Sequence, residues 1–375
     1  MLSNPQHILI LCSRLDTPGG IERTVVKTSN LLAQNGYRVT LLVADTEGLH
    51  SSYFSTTNQV QLEWLYAGFG ITEKGNPFSR KFGLFRDIRR LGQRISLLQP
   101  DIIIASEYHL TIAMMLTAAK KKAACFAWEH LHYKNQRTNR FWSLLKKRYY
   151  PRLKGIICLN ETEAGYYSQL NKTHVVPNFI EPTAVSADVL QAKNILTVGW
   201  LAEHKGIDLF PEIAGKILSE HPDWTWTLVG DGPLKSGILR FAAAKQLQER
   251  IILVGADEAD LEKEYKQAAL FVLLSRTEAF PMVLLEAMAY GVPAISFDCP
   301  SGPAHIINHK TDGILVANND TKEMYLTIND LIISPDKRYR LSIAARENMH
   351  RFRPEAIMTK WNLAFSAVGK ELSAP

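Results

Sequence analysis

Short apolar, β-branched runs alternate with helical patterns from one end of the chain to the other, and this rhythm restricts the fold more than any other feature. In the first half HILILCS (7–13), YRVTLLVA (37–44), DIIIAS (101–106), AACFAWE (123–129) and GIICLN (155–160) read as buried strands. Helical patterns fill 21–35, 80–98, 110–121 and 139–150 between them. The second half repeats the order with NILTVG (194–199), WTWTLVGDG (224–232), RIILVG (250–255), ALFVLLS (269–275), VPAISFD (292–298) and GILVA (313–317). Runs that are apolar throughout need both sheet faces covered, which parallel strands joined by right-handed helical crossovers provide. At 375 residues the chain also exceeds what one core supports. The expectation is an α/β protein of two doubly wound domains, 1–185 and 186–375, joined through the aperiodic stretch 175–193. Ligands of such sheets bind beyond the carboxyl ends of the strands, so a two-domain version is expected to place its site in the cleft that the domains face.

Composition narrows the classes. Hydrophobic residues at 46% and charged residues at 21% suit a globular protein. The longest apolar runs fall far short of the roughly 20 residues that span a bilayer. The segment MLSNPQHILILCSRL has no basic region ahead of its strand-length apolar run, so neither secretion nor a membrane span is expected. Cys12, Cys125, Cys158 and Cys299 are scattered without metal or disulfide spacing.

Charge is unevenly shared. Residues 1–185 carry 23 Lys+Arg against 13 Asp+Glu, a net +10, while 186–375 carry 20 against 24, a net −4. The excess concentrates in 81–94 (KFGLFRDIRRLGQR) and 134–154 (KNQRTNRFWSLLKKRYYPRLK), where basic residues mix with Phe, Trp, Tyr and Leu. Arg86, Arg89, Arg90, Lys146, Lys147 and Arg148 are the cations expected to face an acceptor or an anionic membrane surface; plain solvated helices are the alternative. No RRM, KH or helix-turn-helix pattern accompanies the basic face, so a nucleic-acid partner is not expected. GxGxxG after a strand, which a nicotinamide oxidoreductase needs, is missing.

Several strand ends carry chemistry. Gly19-Gly20 precedes a helix whose positive end can hold an anion, although a Gly pair is also an ordinary turn. Glu22 is simplest as an acid favoured in a helix's first turn. Lys205-Gly206 and the Gly230-containing LVGDGPL follow second-half strands and are ligand loops or tight turns. His130 and His109 close first-half strands. Sharpest is TEAFPMVLLEAMAYG (277–291): Pro281 suits a helix's first turn, and Glu286 then interrupts an apolar second turn. Either Glu286 is exposed on a core helix, or it is buried and must meet a partner such as a polyol hydroxyl pair.

This last stretch, extended to TEAFPMVLLEAMAYGVPAISFDCPSGP, resembles the Glu-x7-Glu region of glycosyltransferase family 4, retaining enzymes of GT-B fold. GGIERTVVKTSNLLAQNGYRVTLL, VGWLAEHKGIDLF, LVGDGPL and DGILV follow the family's order, so the resemblance spans nearly the whole chain. It implies two Rossmann-like domains, the first for the acceptor and the second for a nucleotide sugar, with the last helix (about 355–371) packing back on the first. Glu286 is then expected on the ribose hydroxyls, Glu278 near the transferred sugar, and Ala279, Phe280, Pro281 and Met282 facing diphosphate and sugar. Lys205, Gly19 and Gly20 are implied phosphate contacts, and His130 lies near the transferred sugar and the acceptor. His130, Lys205 and Glu278 are the implied catalytic set.

Two departures stand out. Trp200 occupies the place of a usual phosphate-binding Arg, leaving Lys205 alone or Arg276 or Arg14 to substitute, and His305 stands where Glu is common. The implied reaction is a same-face transfer in which the leaving phosphate oxygen takes the acceptor proton, with no metal or other cofactor. The expected partners are a nucleotide sugar, UDP-linked, a lipid-linked glycan of bacterial lipopolysaccharide, O-antigen or capsule assembly, and the cytoplasmic face of the inner membrane, where a cytoplasmic protein would sit peripherally. The alternative is a catalytically silent nucleotide-sugar-binding or scaffolding protein of the same fold.

Overall fold

A computed structural model describes residues 6–44, 50–69, 77–117, 122–136, 139–256 and 259–369, with side chains 77–82, 135 and 367–369 left aside. The end of the expected 110–121 helix, residues 137–138 of the basic stretch and residues 370–371 of the last helix lie outside them. The chain divides into two compact units, Met1–Pro177 with Met358–Pro375, and Asn178–Ile357. The first division therefore falls earlier than the 185/186 boundary read from the linker.

In the first unit β1 (His7–Cys12), β2 (Arg38–Val43), β3 (Val60–Trp64), β4 (Ile102–Ala105), β5 (Ala124–Glu129), β6 (Gly155–Cys158) and β7 (Thr173–Val175) form one parallel sheet among the described residues, in the order β3-β2-β1-β4-β5-β6-β7. The register sets Leu11 beside Leu42 on one side and beside Ala105 on the other. All six β1 residues are buried, as expected for a central strand covered on both faces. The crossovers use α1 (Gly20–Gln34), α2 (Pro77–Leu98), α3 (Tyr108–Leu116), α4 (Arg140–Tyr149) and α5 (Glu161–Tyr167). Helix α1 ends at Asn35-Gly36, with Gly36 at φ +88°, a left-handed exit that favours glycine. Asn139 and Asn160 cap α4 and α5 by accepting from Trp142 N and Glu163 N.

The second unit holds β8 (Asn194–Val198), β9 (Thr225–Val229), β10 (Ile251–Val254), β11 (Leu270–Leu273), β12 (Ala294–Asp298) and β13 (Gly313–Ala317) in the parallel order β10-β9-β8-β11-β12-β13. Around them lie α6 (Phe210–Glu220), α7 (Lys235–Ala244), α8 (Leu261–Lys266), α9 (Met282–Ala289), α10 (Thr321–Ile333) and α11 (Pro335–Asn348). Phe210, Trp226, Phe297 and Ile328 anchor the core, each fully buried and each contributing about 1.5–3 kcal/mol by leaving water. The indole of Trp226 finds its donor partner inside, on Thr197 Oγ1 at 3.1 Å.

Helix α12 (Pro354–Gly369) closes the described chain, and from Met358 it belongs to the first unit. Trp361 packs edge-on against Trp128 at 5.2 Å, Phe365 meets Tyr37 and Phe126, and the Tyr37 hydroxyl donates to Asn362 Oδ1 at 2.9 Å. Among the described residues no helix is long and apolar enough to cross a membrane.

Candidate active site

In each sheet the strand order reverses at one point, between β1 and β4 and between β8 and β11. Ligands of doubly wound sheets bind outside the carboxyl ends at such points. The sequence-derived candidates gather there, unit by unit.

In the second unit the chain leaves β8 through Gly199 and Trp200, forms a 3-10 turn over Glu203–Lys205 and exits at Gly206, φ +69°. A Cβ on Gly206 would run into the Leu274 carbonyl oxygen, so glycine alone lets this turn lie against the end of β11. Lys205 is thereby seated beside the β11 loop. Its Nζ donates to Glu278 Oε1 at 2.6 Å, and the Ser275 hydroxyl donates to the same oxygen at 2.7 Å. The Glu278 backbone bridges to Ser301, a non-glycine residue at φ +81°, and Gly302 leaves the room that the Glu278 side chain and Pro281 fill. Burial, with Glu278 beside it, pushes the nearby Cys299 thiol up to about 12.

The loop then enters α9 at Pro281, with Ala279, Phe280 and Met282 buried. Glu286 is 3% exposed, which decides the question its neighbours raise: the acid is inside. The Tyr265 hydroxyl donates to its Oε2 at 2.9 Å, and the Tyr265 ring stacks on Tyr290 at 5.5 Å. The arrangement holds a carboxylate one helical turn behind the end of α9 where backbone N–H groups and the positive dipole end point outward.

Gly230, at φ +144°, has a packing reason of its own, because a Cβ there would strike the Gly199 carbonyl oxygen where the β8 and β9 loops touch. Trp200 is 54% exposed. Neither proposed stand-in for the expected Arg points freely outward: Arg276 forks onto Asp208 at 2.5 and 2.7 Å, and Arg14 onto Asp16 at 2.9 and 3.1 Å. Hydrogen bonding to Arg276 holds the Asp208 carboxyl below its usual range, although burial opposes it. His305 lies half-buried in the 3-10 turn Gly302–His305.

In the first unit Gly19 caps α1 and Gly20 opens it. The Glu22 carboxylate folds back over Gly19, where a Cβ would collide with it, and accepts from Thr17 Oγ1 at 3.2 Å. Glu22 thus sits at the positive helix end, as its first-turn position suggests. Next to it, at the ends of β1 and β4, lies a cluster the sequence reading caught only through His109. The Ser13 hydroxyl donates to Glu107 Oε2 and lies 2.9 Å from His109 Nε2. Burial pushes Glu107 up to about 7, the Ser13 hydroxyl opposing and Glu22 adding to it; burial also holds His109 down to about 4.

His130, just past β5, is 8% exposed and packs on Trp128 with ring centres 4.3 Å apart. Among the described residues its Nε2 has no hydrogen-bond partner. Burial keeps it neutral down to about pH 3, against the pull of Glu129.

One assignment is corrected. Lys146 is not on the basic surface: it is 7% exposed and lies under β5, its Nζ 3.6 Å from Glu129, donating to Gln136 Oε1 at 2.7 Å and Tyr167 OH at 3.1 Å. The rings of Tyr150 and Tyr167 face the ammonium at 4.9 and 4.6 Å. The phase of α4 is the cause, because Trp142, Leu145 and Tyr149 lie on the inward side with Lys146. The other cations named remain outside. Arg89, Lys147 and Arg148 are exposed, Arg86 lies 3.3 Å from Asp87, and Arg90 donates to the Tyr66 carbonyl at 2.8 Å.

Residues 18–184 match the family described as Glycosyltransferase Family 4, and residues 184–348 match Glycosyl transferases group 1. The chain belongs to glycosyltransferase family 4, and its two parallel sheets are those of the GT-B fold. It is 27% identical to the amylovoran biosynthesis glycosyltransferase AmsD of Erwinia amylovora over 368 residues, 95% of this chain and 98% of that one. An uncharacterized glycosyltransferase of Haemophilus influenzae is 25% identical over 352 residues, covering 92% and 96%. A solved structure of S. aureus TarM, a mutant in complex with fondaparinux, α-GlcNAc-glycerol and UDP, superposes with a TM-score of 0.81 at 15% identity, covering 96% and 99%.

Proposed function

We propose that the protein is a retaining, metal-independent glycosyltransferase that moves a hexose or N-acetylhexosamine from a UDP-linked donor to a hydroxyl of a growing, lipid-linked bacterial surface glycan. The observation that carries this reading is the convergence at the β8/β11 switch point of Lys205, Glu278 and the N-terminal end of α9, with Glu286 buried one turn behind. A cation and a helix N-terminus suit a diphosphate, a buried carboxylate suits a ribose diol, and Glu278 suits a sugar hydroxyl. The name of AmsD and the UDP in the TarM complex support the substrate class.

In the reaction, the sugar–phosphate bond loosens and the departing phosphate oxygen takes the proton of the attacking hydroxyl on the same face. Lys205 and the α9 amides stabilise the charge that grows on the diphosphate, each such preorganised donor lowering the barrier by about 3–4 kcal/mol. Glu278, ion-paired with Lys205 and hydrogen-bonded by the Ser275 hydroxyl, holds the sugar rather than attacking it. Neutral His130 offers a hydrogen bond rather than a charge to the transferred sugar.

Membrane binding is the outer part of the reading. Helix α4 exposes Phe141 and Leu144 beside Lys147 and Arg148, and α2 exposes Phe85 beside Arg86 and Arg89, a mixture suited to an anionic lipid surface. Sedimentation with phosphatidylglycerol vesicles at low salt tests it, and a protein that stays in the supernatant refutes it.

A thermal-shift screen of UDP- and GDP-sugars tests the enzymatic part. A ligand at 100 times its Kd adds about 2.7 kcal/mol, which is about 5–10 °C for a unit of this size. Stabilisation by UDP-sugars is expected, and no response to either series counts against the reading.

A further inference from the structure

We propose that Ser13, Glu107 and His109 form a hydroxyl-binding subsite for a neutral acceptor sugar. The proposal rests on the transferase reading and adds to it the residues and the charge class of the acceptor.

Position is the first argument. The three residues sit at the carboxyl ends of β1 and β4, adjacent strands at the point where the order of the first sheet reverses. The second is the donor set. A hydroxyl bridges a carboxyl and an imidazole, Ser13 Oγ donating to Glu107 Oε2 and lying 2.9 Å from His109 Nε2, which is itself 3.4 Å from that carboxyl oxygen. Glu107 and His109 stay 23% and 16% exposed, so the cluster is open to solvent on one side. Groups that both donate and accept at short range match the alternating hydroxyls of a sugar ring.

Two further polar atoms are buried near the ends of β4 and β5. The Ser106 hydroxyl, on a residue 2% exposed at the end of β4, and Nε2 of His130, 8% exposed beyond β5, have no hydrogen-bond partner among the described residues. Buried polar atoms of this kind are normally satisfied.

Local charge sets the class. Among the described residues, the groups that act on Glu107 are Cys12 at the end of β1, Glu22 on α1, and Tyr108 and His109 on α3, while Arg14, next to Ser13, is paired with Asp16 at 2.9 and 3.1 Å. None of these four is a cation at neutral pH, since burial holds His109 down to about 4. Glu22 on α1 adds negative charge beside Glu107. An anionic sugar is disfavoured here, in contrast to the basic faces of α2 and α4.

Saturation-transfer NMR tests the subsite with methyl α-glucoside, methyl α-galactoside and methyl N-acetyl-α-glucosaminide as neutral probes, methyl α-glucuronide as the anionic one, and UDP in the same tube. The wild-type protein is expected to saturate at least one neutral glycoside at least fivefold more than the glucuronide. Glu107→Gln and, as a second variant, Ser13→Ala are expected to lower that signal at least fivefold while the UDP signal holds. No signal from any neutral glycoside, equal signals in wild type and both variants, or a preference for the glucuronide would overturn the subsite. A silent UDP resonance would count against the donor site instead, with the glycoside signals still deciding this one.

Discussion

Replacing Lys146 by methionine keeps most of its volume among Tyr133, Tyr150 and Tyr167 but removes the ammonium that lies 3.6 Å from Glu129. The Glu129 carboxylate, 3% exposed, would keep the Tyr150, Tyr167 and Gln136 donors and lose its countercharge. Stripping one partner from a buried pair costs about 3–5 kcal/mol. A unit of this size loses about 2–4 °C per kcal/mol, so the melting temperature should fall by about 6–20 °C at pH 7. Lys147→Met, one residue along and exposed, should stay within about 0.5 kcal/mol.

The pH dependence of the Lys146→Met variant has a sign of its own. In the wild type, burial would raise the Glu129 carboxyl, but Lys146 and the three donors outweigh it and hold it low. That contribution is full above the unfolded carboxyl value of about 4.3 and is lost on acidification. Without Lys146 the folded carboxyl rises, opposed only by the three donors, so the deficit should shrink as pH falls. Circular-dichroism melts of both variants at pH 5, 7 and 8 make the measurement, and Glu129→Gln added to Lys146→Met should recover part of the loss. A Lys146→Met protein as stable as wild type, or a deficit equal at all three pH values, would refute the buried pair.

His130 should not titrate between pH 5 and 8: burial holds it near 3, while the unfolded imidazole takes its proton near 6.5. Its contribution to stability is therefore present above about 6.5 and is lost as pH falls toward 3, and a histidine Cε1–H resonance, assigned through His130→Asn, that shifts with a midpoint near 6.5 would contradict this. Gly206→Ala, at φ +69° and against the Leu274 carbonyl, should cost more than about 1 kcal/mol and weaken UDP binding by displacing Lys205, whereas Gly20→Ala, with open space around it, should not destabilise; equal melting temperatures would overturn the turn argument.

The central strands were legible because each is an unbroken, mostly apolar run long enough to be buried on both faces. Strands β3 and β7 were not, since edge strands are covered on one side and read as ordinary polar sequence: VQLEW is buried at one position of five, and THV is only half-buried. Glu286 was visible as an acid among apolar neighbours, but its partner Tyr265 lies 21 residues away on another helix, beyond any local pattern. Lys146 was misplaced because it sits in the run Lys146-Lys147-Arg148, where charge draws the eye from helical phase; Trp142 and Tyr149, four residues before and three after, carried the signal that it faces inward. Ser13 and Glu107 meet across 94 residues through the pairing of β1 with β4, and only strand order brings them together.

The central claim is that a nucleoside diphosphate binds where Lys205, Glu278, α9 and Glu286 converge. Calorimetric titration with UDP tests it most directly, on the wild type and on Glu286→Ala. Hydrogen bonds to a charged group are each worth about 1.5–3 kcal/mol, so the substitution should raise Kd roughly 10- to 150-fold while the melting temperature without UDP shows the fold intact. An unchanged Kd in Glu286→Ala, or no binding of UDP by the wild-type protein, would contradict the account.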